Sequence, residues 1–257
     1  MKGVVEIQLW QFGLIYLLLL IVVGVMKKCH VNQSRLLVWA SVRMSVQLVL
    51  AGLVLTYIFK NPHPALTLLY LTAMIGFAIY RVLSKNKGIN RRFQQVIGLS
   101  IALPGLFVAA FFIYIVVGET SFDPQYIIPI AGMIMGNAMN GVTLGIKTFR
   151  ETLESQRPRM EALLNAGATP HSILMPFMSQ SLETALLPTM NSMLGMGIVS
   201  LPGMMTGQIL SGTLPTTAIL YQIAIMIAIC TVVCLATFGS LYFGLKTLYN
   251  SRNQILL

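Results

Sequence analysis

Seven apolar stretches, each near the roughly 20 residues that carry a helix across a bilayer, constrain this chain more than anything else in it. They fall near residues 7–26, 36–59, 65–83, 96–117, 126–146, 182–201 and 218–241. In hydrocarbon each backbone polar group must be satisfied within the segment, so the spans are predicted as helices. The expected fold is all-α: a polytopic helical membrane protein of about seven transmembrane helices, in a single domain over residues 1–257. Only 9% of the residues are charged, against about 25% in soluble domains. No room is left for a sizeable soluble domain. The first span is not read as a signal peptide. Its basic cluster, Lys27, Lys28 and Arg35, follows the apolar run instead of preceding it.

The basic residues set the orientation. Lys27, Lys28 and Arg35 follow span one, and Arg81, Lys85, Lys87, Arg91 and Arg92 follow span three. Lys147, Arg150, Arg157 and Arg159 follow span five, and Lys246 and Arg252 follow span seven. Of the 17 Lys and Arg residues, only Lys2 and Lys60 fall on the other side, and Arg43 lies within a span. Cytoplasmic loops carry the excess of Lys and Arg. The N-terminus is therefore expected outside and the C-terminus in the cytoplasm. The net charge of +10 is read as this loop bias, with no nucleic-acid partner.

Polar groups inside the spans are the candidates for function. Arg43 and Gln47 share a face of span two. An arginine at the bilayer centre costs at least about 2.5 kcal/mol, so it either snorkels or faces a path. Span five carries Met133, Asn137 and Asn140 on one face, together with Pro129 and several glycines. Such a stretch suits either close helix packing with amide hydrogen bonds or a bent helix beside a cavity. Span six carries Asn191 among Met190, Met193 and Gly197, with Pro188 and Pro202 expected to break it. The segment after Ser200-Leu201-Pro202-Gly203 is expected to re-enter the bilayer. The methionines suit adaptable packing first and a soft-cation path second.

Catalytic chemistry is missing. The three histidines, His30, His63 and His171, fall on loops of opposite sides. Cys29, Cys230 and Cys234 form neither a zinc pattern nor a disulfide framework. The stretch Gly141–Thr148 has the wrong spacing for a phosphate-binding loop. The chain is expected to be no enzyme and to bind no cofactor of its own. No strong internal repeat appears, against the habit of inverted-repeat secondary transporters.

One loop, at about 150–181, stands apart as polar and helix-forming. Residues 159–166 read as a short amphipathic helix, closed by Gly167. Ala168-Thr169-Pro170 then turns the chain into a second helix with proline at its first position. A helix–glycine–helix corner of this kind can dock into a groove on a soluble partner. Glu161, Ala162 and Gly167 resemble the E-A-A-x-x-x-G motif in the coupling loop of ABC transporter permeases, with Leu163 in place of its second alanine.

The segments IPIAGMIMGNAM (128–139), ALLNAGATP (162–170) and VSLPGMMTGQIL (199–210), in this order, resemble the bacterial Fet-type iron-export ABC permeases. That family includes plant permeases linked to aluminium tolerance and nucleotide-sugar transport. Arg43-x-x-x-Gln47 also matches. The resemblance covers nearly the whole chain. It implies a permease subunit, working as a homodimer in the plasma membrane with two copies of a separate cytoplasmic ATP-binding subunit that holds ATP and Mg. Glu161, Ala162, Gly167, Ala168, Thr169 and Pro170 would then couple to the ATPase. Glu183 stands where the family has a basic residue and Asn191 where it has an acidic one, both near the implied path. The path is expected to be lined by Arg43, Gln47, Met133, Asn137, Asn140, Glu183, Met190, Asn191 and Met193. The metal ligands, if there are any, are left unassigned.

The resemblance implies export of iron or another metal ion, and a metal suits the excess of thioethers and amides over cations on these faces; the residues themselves do not set the direction. A nucleotide sugar, which would ask for several cations, is the alternative within the class. An ATP-independent channel or secondary transporter is the alternative outside it. Intramembrane acids are scarce for that role, with Glu183 alone at a span edge. The topology is tested by labelling. In a cysteine-free background, Asn61→Cys and Thr120→Cys should react with impermeant thiol reagents from outside, and Gln156→Cys should not. Reaction at Gln156→Cys from outside would reverse the orientation.

Overall fold

The computed structural model describes residues 8–86, 88–118 and 122–249. Lys2, Lys87, Thr120 and Arg252, which enter the charge and labelling arguments, lie outside the described residues. The described chain is helical apart from short connections: α1 (Leu9–Lys28), α2 (Ser34–Lys60), α3 (Pro64–Lys85) and α4 (Arg91–Ala110). Next come α5 (Pro124–Ser155), α6 (Arg157–Asn165), α7 (Pro170–Gly195), α8 (Gly203–Leu210) and α9 (Pro215–Leu245). A π-helical segment, Phe111–Val117, prolongs α4 and stops at Gly118 with φ +74°. The protein is a multi-pass helical membrane protein.

Caps chosen by the sequence set several of these starts. The Asn90 side chain accepts from Phe93 N–H at α4, and Asp123 accepts from Gln125 N–H at α5. Pro64, Pro124, Pro170 and Pro215 stand in the first turn of their helices, where the missing N–H costs nothing.

The bundle is built around α9, which packs against α4, α5 and α7. Its apolar window has a mean hydropathy of 2.5. Helix α5 lies parallel to it at very short range. An added Cβ at Gly141 would sit 2.6 Å from Val233 Cγ1, and one at Gly145 would sit 2.7 Å from Thr237 Cγ2. This is the small-residue packing by which membrane helices gain dispersion contact without a hydrophobic driving force. At the far end of α9, Gly244 lies against the Phe93 ring of α4, and Asn90 Nδ2 donates to Thr247 O at 3.1 Å. Helix α3 packs on α5. The α1–α2 hairpin stands apart. Its two helices are joined by a hydrogen bond between Tyr16 Oη and Ser45 Oγ, and hardly any of their apolar surface is covered.

The seventh expected crossing takes a different form. Among the described residues, six helices are long and apolar enough to span a bilayer, and α7 is not one of them. Helix α7 runs straight through Pro176 and Pro188 and ends at Gly195, so Pro188 does not break it. Ser181 and Ala185 of α7 lie level with Gly145 of α5. About 14 residues beyond Ser181 rise roughly 20 Å, short of the ~30 Å hydrocarbon core. The irregular stretch after Gly195 and the short α8 follow α7. The seventh span expected from the sequence is therefore not among the six helices of membrane-spanning length and composition in the described residues. After Pro202, where re-entry was expected, the chain forms the short helix α8, packed on α9.

The basic segments meet at one end. Ile89 and Asn90 before α4, Phe149 and Arg150 of α5, Arg157 of α6 and Leu248 after α9 together line a cavity of about 820 Å³. Helix α5 extends beyond the predicted span to Ser155, carrying the exposed pairs Lys147–Glu151 and Arg150–Glu154, each 3.7 Å.

The α5–α9 seam makes a stability prediction. Gly141→Ala should destabilise the protein by roughly 1–3 kcal/mol, the usual cost of overpacking. Gly76→Ala, on α3 with nothing within 4 Å of the added carbon, should be neutral or slightly stabilising. Melting of the two detergent-solubilised variants beside the parent protein checks this.

Candidate coupling corner and translocation path

The loop singled out by its sequence forms a defined corner. Helix α6 starts at Arg157, one residue after the α5 cap and two residues earlier than expected, because Pro158 suits a first turn. Arg157 Nε donates to Glu161 Oε1 at 3.1 Å. At the other end Gly167 N–H donates to Leu164 O, and Ala168 N–H to Leu163 O, each at 3.0 Å. These two bonds are the paired closure of a helix on a left-handed residue, and Gly167 supplies it with φ +87°. Thr169 then caps α7, its Oγ1 accepting from Ser172 N–H at 3.3 Å, with Pro170 in the first turn. Met160 and Pro170 are buried and hold the corner to the bundle, while Glu161, Ala162, Leu163, Gly167 and Thr169 are exposed; Ala168 is half-buried. The corner thus presents a small, largely apolar surface, flanked by charge, at the end where the basic segments gather.

The polar faces in the spans are arranged differently from one closed channel. Met133 and Asn137 are half-buried and Asn140 is exposed on α5. Asn137 Nδ2 donates to Met133 O of its own helix at 2.8 Å. Among the described residues its amide makes no bond to a neighbouring helix. On α7, Glu183 and Met190 point away from the buried Ser181, Ala185 and Thr189; Asn191 and Met193 are also exposed. Arg43 and Gln47 are exposed on α2, which touches α5 only slightly. Within one chain the three faces do not close on one another. Each is left open beside apolar surface.

Polar groups that the sequence reading passed over lie deeper. Gln222 of α9 is 6% exposed and donates from Nε2 to Met196 Sδ at 3.6 Å, while its Oε1 has no partner among the described residues. Thr237 Oγ1 and Ser240 Oγ are likewise buried and unpaired among the described residues. One amide in the strongly apolar run ILYQIAI was the signal that could have pointed to Gln222. No group of three or more His, Cys, Asp or Glu side chains occurs among the described residues. A tight metal site of the usual ligands is therefore not formed by them.

Comparison with known proteins covers nearly the full chain. The model of the uncharacterised protein family UPF0014 matches residues 9–249. The chain is 33% identical over 243 residues to the probable iron export permease protein FetB of Escherichia coli, covering 93% of this chain and 92% of that protein. It is 31% identical over 230 residues to the UPF0014 membrane protein slr1647 of Synechocystis, covering 88% of each. It is 30% identical over 219 residues to the protein ALUMINUM SENSITIVE 3 of Arabidopsis thaliana, covering 85% of this chain and 79% of that protein. No solved structure matches the chain.

Proposed function

We propose, from the premise that the chain belongs to the UPF0014 family, that it is the membrane permease subunit of an ABC transporter. It exports a metal ion, with iron the favoured cargo, using ATP hydrolysed by a separate subunit. The observation that carries this reading is the α6–Gly167–α7 corner. It is a rigid, exposed helix–turn–helix at the basic end of the bundle, with Glu161, Ala162, Gly167, Ala168, Thr169 and Pro170 forming its outward surface and its turn. Two helices joined through a fully bonded turn transmit a push as one body. Helix α7 passes directly from that corner to the irregular stretch after Gly195. A partner that moves the corner therefore moves the least regular part of the membrane domain. The positive-inside bias places this end in the cytoplasm, and the plasma membrane is the site of action.

The substrate reading rests on donors. The open faces hold amides, thioethers, one carboxylate at Glu183 and one guanidinium at Arg43. That set suits a borderline metal cation better than a phosphate-bearing solute. The similarity to a protein named as an iron export permease points the same way. A polar membrane face left open in one chain asks for protein or water beside it. A second copy of the permease supplies that cover, and the path runs between the two copies along Gln47, Met133, Asn137, Asn140, Met190, Asn191 and Met193.

The path and a purely adhesive role for the amides separate cleanly. Asn137→Leu, Asn140→Leu and Gln47→Leu should leave the yield of the detergent-extracted complex intact while metal transport falls. If they were adhesive groups, each would loosen assembly by roughly 0.6 kcal/mol per lost bond, and yield and transport would fall together. A parallel fall in all three would remove the path assignment.

A further inference from the structure

The break in α7 gathers unpaired polar atoms at membrane depth. Helix α7 stops at Gly195, and the N–H of Gly197, which in a continuing helix would donate to Met193 O, donates to Ser200 O at 2.9 Å instead. Val199 and Ser200 both donate to Gly195 O, at 2.9 and 3.3 Å. The Met193 carbonyl thus loses its helical donor. The negative end of the helix dipole points into the same region. Gln222 lies level with this end, about 10 Å along α9 from its first residue by helical rise. Its amide nitrogen reaches the Met196 thioether, a weak acceptor, and its amide oxygen is buried without a partner among the described residues. Both amide atoms sit on one carbon, so the oxygen is held beside the broken helix end.

An unpaired amide oxygen in an apolar interior costs about 1–3 kcal/mol. Its retention in so apolar a span points to an occupant that the chain alone does not supply. The donor set defines that occupant. An amide oxygen, a thioether and a helix-end carbonyl are neutral donors of mixed softness. They offer a dehydrating cation enough to enter and too little to trap it, which is what passage through a membrane requires. Broken helices whose carbonyl ends face a cavity serve cations in this way.

We propose that the Gln222 amide oxygen and the Met196 thioether, at the break in α7, form a coordination point for a borderline divalent cation in transit. This rests on the metal-permease reading above and adds to it residues that lie off the open faces. The site is transient by construction, since it has no charged ligand of its own.

The test is anaerobic equilibrium dialysis of Fe(II) against the purified full-length permease, with melting temperatures measured alongside. Gln222→Leu and Met196→Leu should each weaken Fe(II) binding by about tenfold or more. Gln222→Leu should not lower the melting temperature, because it removes the unpaired oxygen together with the rest of the amide, whereas Met196→Leu takes the acceptor from Gln222 Nε2 and should lower it slightly. Gln222→Glu should tighten binding by adding charge. A sulfur scatterer in the iron K-edge spectrum should disappear in Met196→Leu. If the parent protein binds Fe(II) and both leucine variants bind it equally well, the site is wrong and the metal reading stands. If the parent binds none, the metal reading falls and the site falls with it. Should a leucine variant fail to fold, Gln222→Glu decides alone, and an unchanged Fe(II) affinity contradicts the site.

Discussion

Gly141 and Gly145 let α5 lie against the Val233–Thr237 ridge of α9 at a distance that no larger residue permits. In lipid there is no gain from hiding apolar surface, so close contact is what holds helices together. The rest of the bundle follows from this seam. Helix α4 reaches α9 from another side, with Phe93 over Gly244. Helix α7 completes the cluster through Ser181 and Ala185 beside Gly145. The beginning of α7 is thereby fixed beside the end of α5. The α6 corner, strung between those two points, has little freedom to move independently.

A second consequence concerns where the polar groups fall. The tight seam consumes the small residues of α5 and leaves Met133, Asn137 and Asn140 on an adjoining, open face. Helix α7 spends its small residues on α5 and α9, so Glu183 and Met190 turn outward. The α1–α2 hairpin carries Arg43 and Gln47 out on a separate arm. One chain therefore has a packed centre and an unfinished polar perimeter. That is the arrangement expected of a half-transporter whose path is completed by assembly. The break in α7 sits between the two regimes, with buried Gln222 on its inner side and the nearly bare Ile198 and Val199, 89% and 85% exposed, on its outer side.

Much of this was legible in the sequence, because membrane insertion ties hydropathy directly to structure. Apolar length gave the helices, and Pro170 after Ala168-Thr169 marked the start of α7. Gly167 was readable as a left-handed cap, since a helix that ends against a following proline-led helix needs one. The end of α7 was less so. Pro188 looked like the break, yet neighbouring helices keep α7 continuous through it. The stop comes at Gly195-Met196-Gly197, where backbone freedom rather than a missing donor ends the helix. Gln222 showed only as one amide in a long apolar run, which leaves the hydropathy average nearly unchanged. Only the packing around it shows that its oxygen is buried without a partner. The outward placement of Arg43 and Gln47 was also out of reach, since a shared helix face does not say which neighbour it meets.

In the function proposed above, a partner's ATP drives a metal ion through this chain. Purified permease, reconstituted into proteoliposomes with the ATP-binding subunit, tests it directly by the movement of Fe(II) across the membrane. Movement that requires both ATP and the partner subunit is the predicted result. Equal movement through the permease alone, without ATP, would make it a channel or secondary transporter and contradict the account.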